Sequence, residues 1–223
     1  MTDLAELVGF LDRELAIATV PDYPNALNGL QLANDGRVGR IVAAVDASLP
    51  VIARASDGGP GLLIVHHGLF WQGARPVTGP VFRKLKTAID AGLAIYSAHL
   101  PLDIHPEWGN NIQLARAIGL IDPQPFFDWK GIFLGLRGGW RGSRRNLVDT
   151  LNQAVGGGGV HLAPGGPAEI REIGIITGGA GSEITKVADC GIDTFITGEG
   201  PHWSHPLALE MEVNLLLAGH YAT

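Results

Sequence analysis

The chain alternates short apolar runs with segments of helical spacing, and this alternation limits its fold more than any other feature. Residues 41–45, 62–65 and 93–96, and later 172–176, 192–196 and 213–217, are mostly apolar without strict polar alternation. Such runs suit parallel strands covered on both faces, because a strand with one wet face would alternate. Helices are expected between them, one starting near Ser48 with Pro50 in its first turn, and one over 80–91 stopping at Gly92. The second half repeats the rhythm with helices near 182–189 and 206–211. Leu4, Leu7, Val8, Leu11 and Leu15 fall on one helical face, so the chain opens with an amphipathic helix that ends before Pro21.

The pattern predicts an α/β fold of two similar lobes, each a βαβαβ unit with mostly parallel or mixed sheets. Between them, 131–136 reads as a strand and 143–155 as a helix ended by glycines 156–159. The Pro-rich stretch at Pro123 and Pro125, following a helix over 110–118, places the boundary between lobes 1–125 and 126–223. Asp46 to His67, Gly178 to Glu199, and Glu199 to His220 are each 21 positions, a weak sign of internal duplication.

Composition removes several functional classes. With 223 residues, a net charge of −6 and a pI near 5.7, the protein is not built as a whole to grip nucleic acid or anionic lipid. Asp3 and Glu6 stand where an export signal would carry Lys or Arg, and no apolar run is long enough to span a membrane. A soluble, cytoplasmic protein is expected. Cys190, the single cysteine, forms no internal disulfide and no thiolate zinc motif.

Eight histidines remain to be explained, and several fall at the carboxyl ends of predicted strands. Ligands of open α/β sheets bind at those ends. One strand ends in His66-His67, and another in Ser97-Ala98-His99 with Asp103 four residues on. In the second half, strands end in Thr197-Gly198-Glu199 and Ala218-Gly219-His220. Imidazoles mixed with carboxylates suit Zn, Fe, Mn, Co or Ni better than Mg or Ca. Adjacent side chains on an extended backbone point to opposite sides, so His66 and His67 are expected to serve two metals, or one metal and a supporting contact.

The other polar features point elsewhere. His105, His161 and His205 read as surface residues, and His202 as a residue lining the same cleft. The glycine turn at 178–181 lacks the lysine of a phosphate loop and reads as a tight turn. Arg137, Arg141, Arg144 and Arg145 around Trp140 read as a solvated loop and helix start rather than a nucleic-acid patch. Cys190 reads as a small buried residue, and no GxSxG nucleophile elbow occurs.

Taken in order, Asn28-Gly29-Leu30-Gln31, Val65-His66-His67-Gly68, Ser97-Ala98-His99 with Asp103, Ile176-Thr177-Gly178-Gly179-Ala180-Gly181, Thr197-Gly198-Glu199 and Gly219-His220-Tyr221 resemble the GTP cyclohydrolase I type 2 homologs. These are also described as NGG-interacting-factor-three-like proteins. The resemblance spans nearly the whole chain. It implies two intertwined α/β repeats, a homohexameric ring and two divalent metal ions per subunit. By position, His66 and His220 would ligate one metal, and His67 and Asp103 the other. The family's bridging glutamate would fall at position 224, one past Thr223, so the chain is expected to be truncated there. Glu199 is the expected general base, and His99 and His202 the expected substrate contacts. The implied activity is hydrolysis of a nucleotide, GTP by family name, or another small metabolite through a metal-activated water. The alternative is a non-catalytic metal-binding protein that acts through partners.

Overall fold

Asp3 fixes the start of the first helix, because its carboxylate accepts the otherwise orphaned backbone N–H groups of Ala5 (2.8 Å) and Glu6 (3.1 Å). The computed structural model describes residues 1–223, which divide into two compact units, Met1–Leu102 and Asp103–Thr223. The first contains β1 (Thr2–Asp3), α1 (Leu4–Glu14), β2 (Gly29–Leu32), β3 (Arg37–Val38), β4 (Ile41–Asp46), α2 (Leu49–Ser56), β5 (Gly61–His67), α3 (Gly79–Asp90) and β6 (Leu93–Ser97). A short α4 (Leu100–Asp103) follows at the division.

The first unit's main sheet has the order β2-β6-β5-β4, with β4, β5 and β6 parallel and β2 antiparallel on the edge. Strands β5 and β6 lack polar alternation because both faces are covered. Leu63, Val65, Leu93 and Ile95 pack with Ile52 and Ala55 of α2 and Ala88 of α3. Leu62, Ala94 and Tyr96 belong to the opposite cluster with Leu4 and Leu15, at the two ends of the opening helical stretch. Each such Leu or Ile contributes about 1.5–3 kcal/mol relative to exposure. The parallel register sets Asp46 opposite His67, so the ends of β4 and β5 are level.

The second unit contains α5 (Asn110–Ile118), β7 (Ile121–Trp129), β8 (Ile132–Ser143), α6 (Arg144–Ala154), β9 (His161–Pro164), β10 (Glu169–Ile175), α7 (Ile184–Asp189), β11 (Thr194–Thr197), α8 (Ser204–Glu210) and β12 (Asn214–Leu217). Its sheet order is β7-β8-β10-β11-β12-β9, with a parallel centre β10-β11-β12 and antiparallel flanks. Ile173, Ile175, Ile196 and Leu216 pack with Leu114 and Ile118 of α5 and Leu147 and Leu151 of α6. Phe195 and Leu215 face Ile184 and Val187 of α7 and Ala208 of α8. Mixed α/β architecture with three adjacent parallel strands in each unit agrees with the expected fold class.

Several expectations are revised. The Pro-rich break lies inside β7, and the contacts divide the chain at Leu102 and Asp103. Helix α5 belongs with the second unit because Leu114, Ala115 and Ile118 complete that core. Pro123 and Pro125 are tolerated because β7 is an edge strand, where a missing N–H costs least. The strand expected at 131–136 extends to Ser143 and pairs with β7 through a two-residue turn. Lys130 (φ 51°) and Gly131 (φ 83°) both have the positive φ that such a turn requires. No helix is long and apolar enough to cross a membrane.

The arginine cluster is partly structural. Arg137 Nε donates to Glu172 (2.7 Å) and its Nη1 to the Cys190 carbonyl (3.0 Å). Arg144 donates to the Gly166 carbonyl (3.1 Å) and to the side chain of buried Asn214 (3.0 Å).

Candidate metal centre

Four of the histidines at strand ends share one feature: an oxygen acceptor lies 2.9 Å from Nδ1. His66 Nδ1 donates to the Ala98 carbonyl, His67 Nδ1 to Asp46 Oδ1, and His99 Nδ1 to Asp22 Oδ1. In the second unit His220 Nδ1 donates to Glu199 Oε1. Carbonyl and carboxylate oxygens only accept, so Nδ1 carries the proton in each neutral ring and Nε2 carries the coordinating lone pair. The carboxylates also fix the orientation of the imidazoles they hold.

Three of these rings crowd together at the ends of β5 and β6. The His66 and His67 centroids are 4.7 Å apart, His66 and His99 4.8 Å, and His67 and His99 5.7 Å. One potential ligand atom from each lies within 4.8 Å of the others. A single ion with bonds of about 2.1 Å separates opposite ligands by about 4.2 Å at most. The cluster therefore suits one ion after a small inward movement, or two neighbouring ions. The opposed directions expected for His66 and His67 are not observed, since their rings meet where β5 ends.

Behind the cluster stands a segment in which the sequence singled out Asn28, within a string shared with the resembled family, but not Asp22. Asp22 and Asn28 lie between α1 and β2, where the prolines and glycine suggest only a loop. Asp22 Oδ2 accepts from Asn28 Nδ2 (2.7 Å) and Leu100 N–H (2.9 Å), while Asn28 Oδ1 accepts the His99 N–H (2.8 Å). Burial pushes the Asp22 carboxyl up, but the hydrogen bond and charge of His99 outweigh it, joined by Asn28 and the Tyr23 N–H; its pKa is lowered from 3.8. Trp71 closes another side, with its ring 5.0 Å from His67 and 4.6 Å from His99. Gln31 Oε1 accepts the Leu69 N–H (2.6 Å), while its amide donates to the Ala26 and Leu27 carbonyls (both 3.0 Å). A Cβ at Gly68 would overlap that amide, which accounts for glycine directly after the histidine pair.

Asp103, Glu199, His202 and His220 belong to the second unit. Asp103 is buried, and its Oδ1 accepts from Asn110 Nδ2 (2.7 Å). Buried Asn111 donates to the Asp103 and Leu134 carbonyls (3.0 and 2.9 Å) and accepts from Thr177 N–H (3.0 Å). The glycine strings form the floor beneath His220. Gly198 N–H and Glu199 N–H both donate to the Gly178 carbonyl (2.8 and 2.9 Å), and Gly219 N–H donates to the Gly198 carbonyl (2.8 Å). A Cβ at Gly198 would lie 2.6 Å from the Gly178 oxygen. His202 is exposed on the turn before α8, where its carbonyl accepts the His205 N–H (3.3 Å). The contact of Glu199 with His220 is that of a residue that orients an imidazole.

Fold and site together define a mixed α/β protein of two units, with a histidine cluster whose donor set fits a transition-metal ion. The chain belongs to the Duf34/NIF3 (NGG1p interacting factor 3) family, whose model matches residues 2–223. It is 40% identical over 221 residues to the GTP cyclohydrolase 1 type 2 homolog of Deinococcus radiodurans, covering 98% of this chain and 82% of that one. The crystal structure of TTHA1606 from Thermus thermophilus superposes with a TM-score of 0.89 at 36% identity, over 100% of this chain and 88% of that one. The solved protein ybgI, described as of unknown function, gives 0.90 at 32% identity, over 99% and 88%.

Proposed function

We propose that the protein is a divalent-metal-dependent hydrolase acting on a nucleotide or another small metabolite. The observation that supports this most is the common tethering of Nδ1 in His66, His67, His99 and His220, which leaves Nε2 as the coordinating atom of each ring. His66 and His67 would be the first unit's ligands, with Asp103 and His220 as the further ligands implied by the family resemblance. Two ions per subunit, a homohexameric ring and a cytoplasmic location belong to the same reading. When bound, the metal supplies an acidified water and an electrophilic clamp on the substrate. The chain's part is positional: Asp46, Asp22 and Glu199 hold the protons on Nδ1 of their histidines, and His99 and His202 are the proposed substrate contacts.

Elemental analysis of the purified protein should find divalent metal that His67→Ala removes. Protein loaded with Mn, Zn, Fe or Co should then release formate from GTP, or phosphate from a phosphoester, in a His67-dependent way. Metal binding without any turnover would favour the non-catalytic interaction protein. Absence of bound metal would remove both readings.

A further inference from the structure

Beside the histidine cluster the first unit holds a cavity of about 720 Å³, within the range of small-molecule sites. Its wall includes His67 and Asp46, already joined to each other, and Trp71, whose ring meets His67 and His99. It also includes Arg75, Lys84 and Leu85. Arg75 precedes α3, and Lys84 lies on it. Neither cation is paired with a carboxylate, whereas Lys86, Arg137 and Lys186 have partners in Asp90, Glu172 and Glu183. In a chain of net charge −6, two unpaired cations facing one cavity form a local reversal of sign. The only carboxylate on that wall, Asp46, is engaged with His67. Thr78, also on the wall, makes no side-chain capping bond to α3 and has its hydroxyl available.

We infer that this cavity is the substrate pocket of the histidine site, and that Arg75 and Lys84 bind a phosphate group of the substrate. This rests on the metal-site reading above and adds to it the residues that select the substrate's charge. Paired cations of different geometry suit a tetrahedral oxyanion, with Arg offering a planar fork and Lys a point charge. The apolar remainder of the wall, led by Trp71 and Leu85, suits a planar or apolar body carrying that phosphate. The substrate class is thus a phosphorylated small molecule whose body lies against Trp71.

The test uses phenyl phosphate and phenol as probes, titrated calorimetrically into the metal-loaded full chain. Phenyl phosphate should bind, and phenol should bind at least about tenfold more weakly, because it lacks the charge-assisted contacts. Arg75→Ala combined with Lys84→Ala should weaken phenyl phosphate binding by about tenfold or more, with metal content and melting temperature unchanged. Raising the ionic strength should weaken wild-type binding more than that of the double variant. No binding of phenyl phosphate to wild type, or a double variant within about twofold of it, would overturn the assignment, since the metal alone would then account for any affinity. Failure of the metal-site reading looks different: the protein would hold no metal yet still bind phenyl phosphate through the two cations.

Discussion

The two units build the same pair of residues in different surroundings. In each, a carboxylate closes or follows one parallel strand and a histidine closes or follows the next, 21 residues later, with Nδ1 2.9 Å from the carboxylate: Asp46 with His67, and Glu199 with His220. The first imidazole is 13% exposed and stands among two further histidines and Trp71. The second is 33% exposed over a floor of glycine backbone, and its carboxylate is 65% exposed. The shared spacing and contact show that the strand-end pair is a property of the repeated βαβ frame. The unequal surroundings leave the first imidazole the more buried of the two and set it among further potential ligands.

The strongest challenge to that comparison is to remove the imidazoles. His67→Ala should lower metal affinity by about a hundredfold or more, and His220→Ala by less, because the first unit's cluster is the denser donor set. Equilibrium dialysis with elemental analysis measures both, and a larger loss at His220 would reverse the ranking. The glycine contacts separate the units by stability. Gly198→Ala drives a Cβ against the Gly178 carbonyl and should cost about 3 kcal/mol, whereas Gly68→Ala meets the movable end of Gln31 and should cost about 1 kcal/mol. Urea midpoints decide it; equal costs would mean that the turn beneath His220 yields as readily as a side chain.

Removing the orienting carboxylates should have smaller effects. Asp46→Ala should weaken metal binding by about tenfold, and Glu199→Ala by less, because the His220 ring is 33% exposed against 13% for His67 and water more readily takes the carboxylate's place there. The smallest effect belongs to pH. The lowered pKa of Asp22 means that its stabilisation is complete above pH 3.8 and is lost as pH falls through the folded-state value. The stability gap between wild type and Asp22→Asn should narrow on going from about pH 5 to about pH 3. A constant gap in urea melts over that interval would show that ionised Asp22 contributes nothing through His99.

The centre of each sheet was legible because strands covered on both faces lose their polar alternation, and β5, β6, β11 and β12 are covered in this way. The flanks were less so: β7 carries two prolines, and β9 is four residues long. Among candidate site residues, His66, His67, His99, Glu199 and His220 stood out because strand ends are where α/β ligands gather. Asp22 could not be found that way, as it reaches His99 across 77 positions from a loop without periodicity. Asn111 was equally hidden, because a buried amide inside a helix looks like any polar residue on its wet face. The meeting of His66 and His67 was also missed, since strict alternation ceases to govern side chains where a strand ends.

The prolines of β7 have a consequence for the molecule among its neighbours. A sheet edge offers free N–H groups on which a strange strand can grow, and β7 is one of the two edges of the six-stranded sheet. Proline at 123 and 125 removes alternate donors from the strand, so an incoming chain meets an interrupted ladder. The residues that disguised this strand as a linker also protect it from recruitment into aggregates.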